Sequence, residues 1–503
     1  MNRALLGAAV AGAAIILTGC PPVPPGGGGG GSTTTTTTTS TTTTSTTVAP
    51  TTTTTIAPSP GLWSRSFGAA YSDAALSVAT QGGTNAIAVS GQFAGTINLG
   101  GDDLSRYNTI PSNLDGVVAV YEASGTHRWS RAFGSDSDDK AVDVAFASNA
   151  VLVVGTAASY PDYGGGPRGN GSLGDGFVAS YRLSDGAWQW DHPIMGGRKD
   201  TTDSVAVDGS NNVIIGGSFE GSTDVGGATI TSPGGVTEMD AYITKYASNG
   251  THTWSRVFGA AGSPERVRAI GTDSAGNTYV TGEFYAPVTF GSTTLTSAGG
   301  YDSFVLKLDP NGNVSWATRL GGPTDDLATA IAVAGDGTVT VHGTFTGTAS
   351  FASATGGGTQ SLTSAGNADV FVGRWTAGGS LSWAQRSGGP SSETAGNVTI
   401  DAAGNAYATG GFIGSGATPA TFGAYTMTSG SSDMFVVEHR AADGVHAAPR
   451  KYGAAGLQFG KAIAYSALGR LVLGGSFEQT IDFGTGVKTS AGVGDGVFAT
   501  INP

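Results

Sequence analysis

Asp302-Ser-Phe-Val-Leu-Lys-Leu-Asp-Pro-Asn-Gly-Asn-Val-Ser-Trp316 holds the pattern that decides the fold: an Asp, an apolar strand, a hairpin turn and a second strand carrying a Trp. The same arrangement runs from Asp115 to Trp129, Asp175 to Trp190, Asp240 to Trp254 and Asp369 to Trp383, and from Asp433 to Ala448, where Ala takes the Trp position. The two marker residues are 14 or 15 residues apart each time. A seventh copy opens at Asp495 but the sequence stops at Pro503 before a Trp arrives, while Trp63 stands at the other end with no Asp strand ahead of it. A repeat divided between two termini is how a closed ring reads when written as a line.

Ahead of Asp302, the segment Arg268 to Asp273 reads as a strand, Asp273-Ser-Ala-Gly-Asn277 as a tight turn and Thr278 to Phe284 as the antiparallel return. Consecutive hairpins make a four-stranded meander, with strands one to four counted outward from the axis. Seven second strands align on Gly91, Gly155, Gly217, Gly282, Gly343, Gly410 and Gly475, and in six of the units a Phe follows two residues later. Gly admits close backbone approach and the Phe fills the space between neighbouring sheets, so these positions, like the Trp, read as packing between blades. The expected fold is all-β: a seven-bladed β-propeller of four-stranded antiparallel blades. Leu62 to Phe67 should close the last blade as its outermost strand, outside Lys461 to Ser466, Leu471 to Phe477 and Asp495 to Ile501.

Composition agrees. Gly accounts for 84 of 503 residues and charged residues for only 12%. Length alone would suggest several domains of ~150 residues, but a period of about 64 residues makes one repeat array the better reading. The net charge is −13 with no basic stretch, which argues against nucleic acid and against attraction to an anionic membrane surface. No cofactor is expected, and the propeller should be monomeric.

Residues 1–20 carry Arg3, an apolar run from Ala4 to Leu17 and the ending Leu17-Thr18-Gly19-Cys20. A charged start, an apolar core short for a bilayer and small residues at the end describe an export signal. The ending resembles a bacterial lipobox, in which the Cys is lipidated and becomes the first residue of the mature chain; here that is Cys20, the only cysteine. The resemblance implies a membrane anchor through the N-terminal lipid. Pro21 stands where an inner-membrane retention Asp would be, which favours the outer membrane or cell surface. Residues 21–60 have no charge and include an unbroken Ser/Thr tract from Ser32 to Thr47. Such a segment cannot offset its ordering entropy and is expected to be a disordered tether, with a reach on the order of 130 Å when extended. The propeller should then occupy residues 61–503.

The repeat as a whole resembles the β-propeller repeats of bacterial surface lipoproteins. Asp302, Phe304, Val305, Lys307, Asp309, Gly312, Trp316, Gly321, Gly322, Ile331, Val333 and Gly343 all fall in its register. The likeness covers about residues 62–503; its departures are Ala448 and an irregular approach to the third strand between Tyr160 and Gly174. It implies a fold and a place on the envelope, and no activity.

Asp200, Glu265, Asp326 and Glu393 each lie five residues ahead of an apolar strand position, and Asp136, Asp138 and Asp139 cluster in the equivalent loop of the second unit. These carboxylates could ring one mouth of the channel and hold a hard cation, or accept backbone hydrogen bonds within their own turns, the reading favoured here. His127, His252 and His446 share one repeat position in different blades and read as structural surface positions. The turns before each Trp resemble the Asp-box of sialidases at the level of the turn only. No catalytic motif stands out. The expected function is a surface-anchored module that binds a protein or glycan, or serves as a scaffold. The alternative is a polysaccharide hydrolase or lyase, which would need carboxylates, Arg or His converging on the axis from several first strands.

Overall fold

The structure, a computed structural model, describes residues 61–107, 110, 113–159, 161–168, 174–453 and 455–503. Residues 1–60, on which the expected export signal, the lipidation of Cys20 and the expected tether fall, lie outside the described residues, as does Tyr160. Among those described every regular element is a β-strand, and the strands form a seven-bladed β-propeller.

Blade one comprises Ala74–Thr80, Ile87–Phe93, Asp115–Tyr121 and His127–Phe133, in order from the axis outward. Blade two comprises Lys140–Phe146, Ala150–Ala157, Asp175–Arg182 and Trp188–Gly196. Blade three comprises Asp200–Val207, Val213–Glu220, Met239–Tyr246 and His252–Phe258. In blade four the order is Arg266–Thr272, Thr278–Phe284, Asp302–Leu308 and Val314–Gly321. Blade five follows with Leu327–Val333, Val339–Phe345, Asp369–Trp375 and Leu381–Gly388. Blade six has Thr394–Ile400, Ala406–Phe412, Asp433–His439 and a short outer strand, Arg450–Tyr452.

Blade seven takes three strands from the C-terminal end, Gln458–Ser466, Arg470–Phe477 and Asp495–Ile501, and its fourth, Ser64–Phe67, from the N-terminal end. Ser64 to Phe67 pair in register with Ala499 to Gly496, so the ring closes by antiparallel hydrogen bonding.

The core is divided into seven clusters, each drawn from the facing surfaces of two neighbouring blades. At the closing seam Ala462, Val472 and Phe498 of blade seven pack with Ala75, Val78 and Phe93 of blade one. Radial repetition therefore buries both faces of every sheet.

The Trp of each fourth strand pins the next blade. Trp129 donates its indole N–H to the carbonyl of Leu183 (2.9 Å), Trp190 to Ser248 (3.1 Å), Trp254 to Pro310 (3.1 Å), Trp316 to Ala377 (3.1 Å) and Trp383 to Ala441 (3.1 Å). Each acceptor lies in the turn between strands three and four of the following blade, and the ring packs on that turn's glycine, as Trp254 does on Gly312. Ala448 now has a reason. Blade seven borrows its fourth strand from Ser64–Phe67, so it has no such turn for a blade-six Trp to meet, and the outer strand of blade six shrinks to three residues.

One feature exceeds the four-stranded expectation. Hairpins between strands two and three of blades three, five and six extend the fourth strand of the preceding blade, pairing Met195 with Asp224, Leu320 with Phe351 and Ser387 with Phe422. Three sheets thereby reach six strands.

Candidate functional site

Every first strand carries a β-bulge at the same place. The unpaired residues are Leu76, Val142, Asp203, Arg268, Thr329, the pair Gly396 and Asn397, and Lys461, in blades one to seven. The cause is on the neighbouring strand. The repeated second-strand glycine lies so close to the first strand that an added Cβ would overlap its carbonyl oxygen, as Gly282 would overlap that of Arg266. A bulge leaves one residue out of the ladder and re-aims its side chain. Here all seven bulges line a single axial cavity of about 610 Å³.

The lining is charged on several sides. Arg268 donates to Glu283 at 2.8 Å, and Arg266 lies 3.6 Å from the same carboxylate. Asp203 accepts from the Thr201 hydroxyl at 2.8 Å; burial pushes its carboxyl up, opposed chiefly by Arg268. Asp143 accepts four hydrogen bonds: from Ser77 Oγ (2.7 Å), Val144 N (2.9 Å), Ser204 Oγ (3.0 Å) and Val205 N (2.9 Å). Ser204 Oγ in turn accepts from Ile270 N at 3.1 Å, so one polar chain links blades one to four around the axis. Lys461 enters from blade seven, and burial, with the like charge of Lys140, holds its ammonium below the ordinary lysine range. Three first strands thus send Asp203, Arg268 and Lys461 to one space.

The acidic residues singled out by sequence lie elsewhere. Asp139, Asp200, Glu265, Asp326 and Glu393 are buried at successive seams between blades, and Asp73 and Gln458 complete the set of seven. Each of the six carboxyls faces the Asp that opens a third strand in the preceding blade: Asp495, Asp115, Asp175, Asp240, Asp302 and Asp369 in turn. Burial, reinforced by these neighbours, pushes Asp73 up to about 6, Asp139, Asp200 and Asp326 to about 7, and Glu265 and Glu393 to about 8. Their remaining partners are backbone N–H groups and hydroxyls, Ser135 on Asp139 (2.8 Å) and Thr223 on Asp200 (3.0 Å) among them. Asp326 accepts from Gly322 N (2.6 Å) and Thr346 N (3.1 Å), and Asp139 from Ser135 N (2.6 Å) and Ala158 N (2.8 Å), tying two loops of one blade together.

Asp136 and Asp138 are exposed, and Asp138 accepts from Leu114 N at 3.0 Å. His127 and His252 are half-buried in separate blades, and His446, contrary to the expected surface position, is buried because its ring packs against that of His439. Among the described residues no three His, Cys, Asp or Glu side chains come together as a metal-ligand set.

Two faces of the ring differ. The connections from strand two to three and from strand four to the next strand one all emerge on the same side. Of the twelve exposed large apolar residues among those described, ten belong to these connections, Tyr71, Tyr107, Ile110, Val236, Tyr285 and Ile413 among them. Only Val445 and Leu468 belong to the opposite turns. Sequence reading missed the channel set because Leu, Val, Asp, Arg, Thr and Lys share no chemistry at that repeat position. The signal available was the second-strand glycine, since an isolated Gly in a strand marks a bulge.

No family model matches the chain. Among curated proteins it is similar to the Regulatory protein FlaEY of Caulobacter vibrioides, 27% identical over 342 residues that cover 65% of this chain and 34% of that protein. It is also similar to the Uncharacterized WD repeat-containing protein L264 of Acanthamoeba polyphaga mimivirus, 30% identical over 161 residues, 28% of this chain and 11% of that one. The chain therefore spans about a third of the first relative's length and about a tenth of the second's. Among solved structures, the quinohemoprotein alcohol dehydrogenase from Comamonas testosteroni aligns with a TM-score of 0.38 at 12% identity, over 86% of this chain and 76% of that one. A europium-containing methanol dehydrogenase aligns with a TM-score of 0.39 at 12% identity, over 83% and 77%. By its own strands and their pairing, the chain is a seven-bladed β-propeller.

Proposed function

We propose that the protein is a lipid-anchored module of the bacterial cell envelope that binds a protein or glycan on the face formed by its two-to-three and four-to-one connections. The observation that carries the binding face is the concentration of exposed Tyr, Ile, Val and Leu in these connections, nine residues against two in the opposite turns once Val487 is set aside, whose hairpin tip runs along the outer edge to Ser64. Apolar side chains gathered on one surface mark interaction sites more often than scattered ones do. The anchor rests on the Leu17-Thr18-Gly19-Cys20 ending and on the uncharged tether that follows it. The Caulobacter relative is named a regulatory protein, and the aligned stretch is 34% of it.

Residues 61–503 contain every strand of the closed ring, so that fragment serves for a glycan-array and pull-down screen. A ligand lost on Tyr285→Ala but kept on Leu468→Ala supports the face; loss on Leu468→Ala alone overturns it. Cys20→Ser should release the full chain from membranes, and retention there would contradict the lipid anchor.

A second reading, a polysaccharide hydrolase or lyase, is favoured by one observation: Asp203, Arg268 and Lys461 converge on the axis from three first strands. Release of reducing ends or unsaturated products from acidic and neutral polysaccharides, abolished by Asp203→Asn, is its test.

A further inference from the structure

The chain has seven lysines in an acidic protein. Three of them have clear partners. Lys245 is 2.8 Å from Asp208, Lys451 is 3.2 Å from Asp433, and Lys307 donates to the carbonyl of Ala377 at 3.1 Å. The other four, Lys140, Lys199, Lys461 and Lys488, have neither an ion-pair nor a hydrogen-bond partner among the described residues; Lys488 lies at the outer edge beside Ser64, and the remaining three border the axial cavity or the space that opens from it.

Their placement follows from the strands. Lys461 is the bulged residue of blade seven and points into the axial cavity. Lys140 begins the first strand of blade two, two residues ahead of the bulged Val142, and Lys199 stands just before the first strand of blade three. Lys140 and Lys199 line an adjoining cavity of about 710 Å³ that shares Val142 and Asp203 with the channel. The acidic groups of that space are already engaged: Asp203 with the Thr201 hydroxyl, Asp138 with Leu114 N.

Two half-buried ammonium groups near each other, neither with an ion-pair partner among the described residues, are an unfavourable arrangement; the carboxylate bordering both cavities, Asp203, faces Thr201 and Arg268. The depressed affinity of Lys461 for its proton has burial and Lys140 as its causes, and no carboxylate opposes them. Lysine ammonium groups facing two adjoining cavities that meet at Val142 and Asp203 suit an oxyanion, which would supply negative charge between them and accept their N–H bonds.

We propose that the mouth of the axial channel is a binding site for a small oxyanion, a carboxylate or phosphate group, held between Lys461 and Lys140 with Lys199 at the rim. The site does not depend on the lipid anchor, and it opens on the same side as the proposed binding face, since Asn113, Ser159 and Lys199 of the two-to-three and four-to-one connections line it. The hydroxyls and amide that line the same cavity, Thr329, Thr399 and Asn397, leave room for a ligand body bearing polar groups.

The test uses the full chain at low ionic strength, with inorganic phosphate and glucuronate as probes and sodium chloride matched for ionic strength. Acetic anhydride labelling mapped by mass spectrometry reads each lysine separately. Phosphate or glucuronate should slow acetylation of Lys461 and Lys140 by about tenfold at saturation, equivalent to about 1.4 kcal/mol, and leave Lys488 unchanged. Protection by only one of the two probes supports the site and assigns its anion. Equal labelling of Lys461 with and without both probes overturns the proposal, as does protection that sodium chloride reproduces. Titration of Lys461→Met should show affinity for the protecting probe reduced by about tenfold, with Lys488→Met at wild-type affinity. Undiminished affinity in a folded Lys461→Met protein also overturns it. Should that variant fail to fold, labelling of the unaltered chain still decides.

Discussion

Trp63 donates its indole N–H to the carbonyl of Ala123, 3.0 Å away, and its ring lies against Gly125 of the same turn. The strand that completes the last blade is therefore also pinned to the first. Its backbone adds to the seam: Thr500 N donates to the carbonyl of Trp63 at 2.9 Å, and Phe67 is buried in the cluster shared by blades seven and one.

Trp63→Ala should destabilise the propeller by about 3 kcal/mol, the lower range for removing a large aromatic from a packed site, read as a shift in urea midpoint. Removing Leu62 to Gly68 should go much further, lowering Tm by many degrees, because it strips the whole ladder from Asp495–Ile501. An unchanged melt after that deletion would contradict closure.

The turn glycine and the Trp of the previous blade form a unit. Gly312 has φ +80°, and a Cβ on it would meet the Trp254 ring at 2.9 Å. Gly312→Ala should cost about 1–2 kcal/mol from the left-handed backbone alone, and more from the clash. In a Trp254→Ala background the clash disappears, so the double variant should be less destabilised than the sum of the two. Strict additivity would show that ring and turn are not coupled.

Asp143 accepts from blades one, two and three at once. Replacing it with Ala leaves Ser77, Ser204 and two backbone N–H groups without their acceptor, and should destabilise on the order of 3 kcal/mol, the scale of hydrogen bonds to a charged group. Asp143→Asn retains one acceptor oxygen and should fall between. Equal stability of the Ala variant and the wild type in urea melts would remove Asp143 from the account of how the inner ring holds together.

The blades, their number and the split closure were legible because the same residue types return at the same spacing: Asp302 and Trp316, or Gly282 and Phe284, repeat around the ring. Residues that vary around the ring left no such trace. Arg268 and Lys461 occupy one structural position but share nothing with Leu76 or Val142. The hairpin pairing of Met195 with Asp224 joins two blades and has no local pattern to announce it. Asp73 obeys the same spacing as Asp200 and Glu265, five residues ahead of Val78, and belongs to the same set. The burial of these acids between blades depends on how neighbouring sheets face, which a single strand's sequence does not record.

That burial makes stability depend on pH in a definite direction. A carboxyl whose folded pKa is raised contributes stability that is fully present below its unfolded pKa and is lost as pH rises through the folded value. For Asp73, Asp139, Asp200, Asp326, Glu265 and Glu393 those folded values run from about 6 to about 8. The buried imidazoles of His342, His439 and His446 are lowered by burial and act the other way, losing stability as pH falls below the ordinary histidine range. Above pH ~6.5 the carboxyls therefore decide the slope, and Tm should fall steadily from there to about pH 8.5. The molecule contains its own control in blade seven, where Gln458 replaces the acid opposite Asp433 and donates to the carbonyls of Ala455 (2.7 Å) and Glu478 (3.1 Å). Glu393→Gln reproduces that arrangement opposite Asp369, which keeps its ion pair with Arg386 at 2.5 Å. The variant should melt higher than wild type at pH 8.5 and lose less between pH 6.5 and 8.5. A wild-type profile that stays flat or rises over this interval would show that the seam acids are ionised in the folded ring.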